Sequence, residues 1–126
     1  MTDAQLTEAS LKYADLSNVD LSNANLTGAD LYNVDLTGAN LTDADLSGTD
    51  LSGTDLSGST VTENQFLSAL RVTGVTVQNH DMSWWNLYFV DLSGADLRGT
   101  DLSNADLRFA DLSGCLLYTS PSPRDS

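Results

Sequence analysis

The strongest constraint on this chain is a leucine that returns every five residues. It falls at Leu16, Leu21, Leu26, Leu31, Leu36, Leu41, Leu46, Leu51 and Leu56 without a miss. Leu6 and Leu11 already carry the beat, and Val61 and Phe66 extend it with other apolar residues. An amphipathic helix repeats its apolar residues at i, i+3, i+4 and i+7, and a half-buried strand at every second residue. Neither period fits. Two residues before each leucine stand Ala14, Val19, Ala24, Ala29, Val34, Ala39, Ala44, Thr49 and Thr54, all small or β-branched. Each unit thus offers one large and one small residue to an interior, and the rest to water. A single unit cannot bury that face, whereas units wound into a tube and stacked can. Two residues after each leucine come Asn18, Asn23, Gly28, Asn33, Gly38, Asp43, Gly48, Gly53 and Gly58. These types tolerate the positive φ that the third residue of a type II turn demands. The expectation is a tight turn in every unit.

The unit reads Ala, Val or Thr, then Asp or Asn, then Leu, then two variable residues. In this it resembles the pentapeptide-repeat family over nearly the whole chain. The resemblance implies an all-β fold, a right-handed quadrilateral β-helix of about 5.5 coils, with neighbouring coils about 4.8 Å apart as paired strands are. Four units, or about twenty residues, would make one coil. The pattern is specific for the fold and carries little about activity. What it implies is a non-enzymatic scaffold or protein-interaction module.

The chain has 126 residues, room for one domain. The expected solenoid covers residues 1–114, as a first repeat block at 4–66, an interruption at 67–71 and a second block at 72–114. The 18 acidic against 5 basic residues give a net charge of −13. That charge argues against direct binding of nucleic-acid phosphate or of an anionic membrane surface. Basic proteins, cations or plain solubility remain compatible with it. Residues 1–10 lack the basic and apolar regions of a signal peptide. No apolar run approaches the roughly 18 residues of a membrane span, so the default expectation is a cytoplasmic protein.

The repeat register is expected to dissolve after Gly114. Cys115 to Asp125 reads CLLYTSPSPRD. It can be encoded by DNA resembling the transposase adapter of shotgun sequencing libraries, so residues 115–126 are expected to be foreign and the natural chain to continue. Cys115 is the only cysteine, so no disulfide or thiol chemistry is expected of the natural part. An uncapped last coil would present an open strand edge, a route to self-association.

The beat breaks once, near residues 62–71, where the next centre after Phe66 is Val72, six residues on. Thr62 followed three later by Gln65 matches a capping box. About Glu63 to Leu70 is read as a short helix or helical turn, with Gly74 as its stop; the alternative is a one-residue bulge. At the other end, Gln5 and Ser10 replace the usual Asp, so a frayed first coil is expected. His80 and Trp85 occupy the position that is small elsewhere. Either the coil widens there or Trp85 turns outward.

Thirteen aspartates stand immediately before the centre, and about twenty residues per coil would stack Asp15, Asp35 and Asp55 on one face. Two charges about 4.8 Å apart in water repel by roughly 1 kcal/mol. The local explanation is that Asp and Asn side chains hydrogen-bond backbone groups at turns, and Asn25 and Asn40 share the slot. The resemblance adds another: some bacterial family members mimic duplex DNA in shape and charge and act on type II topoisomerases such as DNA gyrase. A rod of roughly 26 Å carrying the net charge of −13 has about one charge per 2 Å, near the one per about 1.7 Å of B-DNA. The Ser and Thr after the centre (Thr7, Ser17, Ser22, Thr27, Thr37 and onward) form hydroxyl ladders. An ice-binding surface would want a uniform Thr array, and here Ser and Thr mix and share faces with Asp.

Trp84, Trp85, Tyr88 and Phe89 gather in the least regular part of the chain, and are read as packing residues or as an anchor for a partner. Phe89 and Phe109 would share a corner one coil apart, with Tyr88 beside Arg108. His80, the only histidine, has no nucleophile at recognisable spacing and is read as structural. No EF-hand loop, phosphate-binding glycine loop or zinc-ligand set is present. No catalytic residue, cofactor or metal is expected.

Overall fold

The amide before each leucine sets the architecture. It joins the residue one coil away in a parallel bridge: Asp15 with Asp35, Asp35 with Asp55, Asp20 with Asn40, Asn25 with Asp45. The Leu16 amide donates to the Asp35 carbonyl at 2.8 Å, and the Asp35 amide donates to the Ala14 carbonyl at 3.0 Å. These short rungs alternate with turns in which the amide three residues after a centre donates back to it, as Ala14 does to Leu11 at 3.0 Å. The third residue of each turn has positive φ, 59° at Asn18 and 69° at Gly28. That is the expected type II geometry. The structure, a computed structural model, describes residues 2–117.

The interior is a column of leucines. Leu21 through Leu56 lie fully inside at every fifth position, with the small residues between them also buried. Thr49 and Thr54 fit the small slot because their hydroxyls donate to the carbonyls of Leu46 (2.9 Å) and Leu31 (2.5 Å). A buried hydroxyl without such a partner would cost about 1–3 kcal/mol.

Glycine is required at Gly53 for a second reason besides its φ of +69°. A Cβ there would stand 1.9 Å from the Asn33 Oδ1 in the coil above. Gly48 stacks on Gly28 instead, and a Cβ there would meet nothing nearer than 3.8 Å.

The interruption is helical. Helix α1 spans Glu63–Ser68, two residues short of the expected end. Thr62 and Gln65 form the capping box. Gly74 is not its stop: the helix ends as Ala69 turns extended, and Gly74, at φ +66°, serves the next regular turn. The break adds one residue, so the bridges across it join Asp50 to Arg71 and Asp55 to Thr76. A helix cannot supply strand rungs, and side chains replace them. The Gln65 amide Nε2 donates to the carbonyls of Leu41 (2.6 Å) and Ala44 (3.0 Å) in the coil above. Below, the Glu63 carboxylate accepts the Asn86 N–H. The tube is stitched through α1 in both directions.

Of the two alternatives at Trp85, the coil widens and the indole does not turn outward: it is 8% exposed, and its ring packs 5.6 Å from that of Phe66. With α1 in place of a regular turn above it, the interior there has room for an indole. His80 meets the Trp85 ring edge-on at 5.8 Å and holds the Val61 carbonyl through Nε2 at 3.1 Å. The first coil is not frayed either: Gln5 bridges Asn25 and Ser10 bridges Asp30, because the rungs are backbone and need no Asp. Nor does the register stop at Gly114. Cys115 takes the small slot, and Leu116 bridges Asp96 through its backbone. Residues 118–126 of the expected foreign tail lie outside the described residues.

Candidate functional site: an aromatic corner beside α1

One corner of the tube is made by the turns Thr7–Glu8, Thr27–Gly28 and Ser47–Gly48, the end of α1 at Leu67–Ser68, and the turns Tyr88–Phe89 and Arg108–Phe109. Amide-to-carbonyl bonds from Glu8 to Thr27, Gly28 to Ser47, Gly48 to Ser68 and Phe89 to Arg108 run along it. In the upper coils this corner holds glycine, hydroxyls and Glu8. In the lower coils it is aromatic. Phe89 and Phe109 stack with centroids 5.1 Å apart and planes 15° from parallel. Tyr88 meets Phe89 edge-on at 4.4 Å, and the Arg108 guanidinium lies over the Tyr88 ring at 5.4 Å. The Asp106 carboxylate orients that guanidinium, taking both Nε (3.0 Å) and Nη2 (2.8 Å). The same bonds hold the Asp106 carboxyl below its ordinary range.

The aromatic side chains stand outside the core. Trp84 is 74% and Phe89 64% exposed. Asn86 and Asp106 bridge on the short face between the two turns, so Trp84 and Phe89 flank that face. Of the four sequence candidates, Trp84, Tyr88 and Phe89 come to this surface, and Trp85 lies beneath it in the core. Phe109 belongs to the patch too, and its stacking position one coil below Phe89 is the signal that identifies it.

The backbone here is that of every turn, and the residue type on it sets this surface apart. Trp84, Phe89 and Phe109 have φ of 66°, 64° and 60°. Left-handed backbone costs an L-residue with a bulky side chain about 1–2 kcal/mol relative to glycine. Strain of that kind concentrates at functional sites.

Asp15, Asp35 and Asp55 do stack in one column. Each accepts the amide two residues on: Ser17 at 3.0 Å, Thr37 at 2.9 Å and Ser57 at 2.9 Å. The Ser17 hydroxyl adds a bond of 2.6 Å and, with the amide, lowers the Asp15 carboxyl from its ordinary value. The aspartates are turn-builders first. Ion pairs tie Lys12 to Asp30, Arg71 to Asp50, Arg98 to Asp96 and Arg108 to Asp106. Among the described residues none reaches the column of Asp15, Asp35 and Asp55.

A family model for pentapeptide repeats, in eight copies, matches residues 1–38, 20–58 and 81–117. The chain belongs to the pentapeptide-repeat family. Among solved structures, this pentapeptide-repeat protein is similar to HetL from the cyanobacterium Nostoc sp. strain PCC 7120, a pentapeptide repeat protein involved in heterocyst differentiation regulation. The two share 29% identity with a TM-score of 0.66, over 91% of this chain and 62% of HetL. It is also similar to a trypsin-treated QnrB1, a plasmid-mediated fluoroquinolone resistance protein, at 21% identity and a TM-score of 0.51, over 92% of this chain and 63% of QnrB1. The chain therefore spans less than two thirds of either structure's length. Comparison with curated proteins finds no match. The family match leaves out 59–80, the segment that holds α1. Among the described residues no helix is long and apolar enough to cross a membrane.

Proposed function

We propose that this pentapeptide-repeat protein is a non-enzymatic interaction module whose protein partner seats on the corner formed by Tyr88, Phe89 and Phe109 and on Trp84 across the adjoining face. The observation that carries this reading is the gathering of three large exposed aromatic side chains on left-handed backbone within two neighbouring coils, where the coils before α1 place Gly, Asn, Asp or Glu and one aromatic, Tyr13. The rings pack on one another yet stay largely in solvent, and that exposure on costly backbone favours a further return at an interface. Aromatic anchors are enriched among interface hot spots. The same reading takes the solenoid as right-handed and quadrilateral, of about 5.5 coils, and residues 115–126 as foreign in origin although Cys115 and Leu116 continue its register.

A photoreactive phenylalanine analogue at position 109, cross-linked in a cell extract, identifies the partner. Its affinity for purified protein is then measured by calorimetry. Trp84→Ala and Phe89→Asn should each weaken binding at least tenfold, about 1.4 kcal/mol. Unchanged affinity in both variants would overturn the reading.

The unpaired column of Asp15, Asp35 and Asp55 favours a second reading, an acidic DNA mimic acting on a type II topoisomerase such as DNA gyrase. A supercoiling assay across salt concentrations separates the two. Inhibition or protection that fades with salt, survives Trp84→Ala and is lost when the three aspartates become Asn would put mimicry first.

A further inference from the structure

Helix α1 does more than bridge the break. Its exposed side opens a groove of about 470 Å³ whose apolar lining is Phe66, Leu67, Ala69, Leu70, Val72 and Val90. Leu70 is 65% exposed, although it stands just before a bridge residue, in the slot that is small and inward in regular coils. Leu67 is also exposed. Regular repeats turn their leucines inward, so two outward leucines beside a cavity are an exception that the repeat does not need.

The rim has a definite charge. Arg71, at one edge, is already paired with Asp50 at 3.3 Å. Asp91, at the other edge, accepts only the Ser93 N–H, at 3.0 Å on Oδ1, and no basic side chain reaches it among the described residues. Asp111 bridges directly below Asp91 and extends the negative edge. The groove therefore offers an apolar floor with one neutralised and one negative wall, on a chain of net charge −13. Val90 in its lining directly follows Phe89, so the groove borders the aromatic corner.

We propose that this groove takes an aliphatic side chain of a basic partner segment, with a Lys or Arg next to it in sequence set against Asp91. The inference rests on the interaction-module reading and adds the chemistry of the partner. The cavity volume fits one or two aliphatic side chains, and the unpaired carboxylates select for positive charge by complementarity.

The test uses an array of ten-residue peptides in which Leu, Ile, Val or Phe is embedded among Lys and Arg, among Glu, or among Ser, read with the labelled full chain. The expected result is retention on aliphatic-plus-basic peptides at least tenfold above their acidic counterparts. Leu70→Ser should reduce retention at least tenfold, and Asp91→Asn should shrink the basic preference several-fold. Both positions are exposed, and circular dichroism checks that the variants keep their fold. Equal retention of acidic and basic peptides overturns the proposal, as does retention that Leu70→Ser leaves intact. Peptides lost on Phe89→Asn but kept on Leu70→Ser would overturn the groove and leave the aromatic corner standing. Self-association at rising concentration that Leu70→Ser abolishes would assign the groove to a second copy, and also overturn it.

Discussion

The coils before α1 and the coils after it obey the same backbone rules with different side chains. Before it, the left-handed positions hold Gly, Asn, Asp or Glu with one aromatic, Tyr13, and the small slot holds Ala, Val or Thr. After it, the left-handed positions include Trp84, Phe89 and Phe109, and the small slot includes His80 and Trp85. The rungs and turns are the same in both halves. The difference shows how little the backbone demands of any one side chain, and hence where side chains are free to serve something other than the fold. Before α1 the large exposed residues come down to one edge-on pair, Tyr13 and Tyr32. After it, Trp84, Tyr88, Phe89 and Phe109 gather within two coils.

The largest test of this contrast is in the interior. Trp85→Ala removes an indole packed on Phe66 and should cost about 3–5 kcal/mol. Leu36→Ala in the regular half should cost about 2–5 kcal/mol. Since solenoid stability is a sum of neighbour terms, the two losses should be local. Native-state hydrogen exchange should show Trp85→Ala exposing the rungs of Leu87 and Leu92 while those of Leu16 and Leu21 stay protected. Equal loss in both halves would mean that the tube unfolds as one unit.

The next test cuts the stitch. Gln65→Ala leaves the carbonyls of Leu41 and Ala44 without their side-chain donor. The expected cost is about 1–3 kcal/mol, read as a lower urea midpoint. Glu63→Gln should cost less, because a neutral oxygen still accepts the Asn86 amide. A loss confined to one half would identify which half α1 supports.

Most of the fold is legible in the chain because its signals are local. A leucine period, a small partner and a left-handed turn residue suffice to specify the rung and turn, and the capping box at Thr62 and Gln65 marks where α1 starts. What resists reading depends on the neighbouring coil. Whether Trp85 lies in or out turns on the space Phe66 and α1 leave above it, which no spacing encodes. The groove is hidden for a related reason: Leu70 stands in the slot that is inward in regular coils, and only the break at α1 leaves it outward beside Leu67. The ends are misjudged from side-chain composition. Ser10 and Leu116 bridge as well as Asp does, because only backbone is used.

The strained corner gives a smaller effect of opposite sign. Trp84→Asn places at φ 66° a residue type that Asn79 and Asn104 already carry there. It should stabilise the chain by about 1 kcal/mol while weakening the partner contact. A thermal melt that rises as affinity falls would show strain held for function. A melt that falls would mean that the indole contributes to packing, and the contrast between the halves would narrow.

The smallest expected effect concerns the residue after each centre, Ser or Thr in most upper units and Arg at Arg98 and Arg108 in the lower half. Asp15 is held below its ordinary value by the Ser17 hydroxyl and amide. Asp96 is brought from 3.8 to about 2, first by the Arg98 side chain against an opposing effect of burial, with Gln78 and the Arg98 amide adding to it. A carboxyl depressed in the folded state stabilises the fold above its unfolded value, and that stabilisation is lost as pH falls from about 4 through about 2. Because Arg98 is half exposed and salt screens the pair, the stability change is small. The readout is therefore the carboxyl carbon shift in a nuclear magnetic resonance titration. Arg98→Ala should raise the Asp96 midpoint part of the way toward 3.8, since Gln78 still donates at 2.8 Å and the backbone amide remains. A midpoint that stays near 2 would give the depression to Gln78 and the turn, and would make the arginines of the lower coils as dispensable to the fold as the serines of the upper ones.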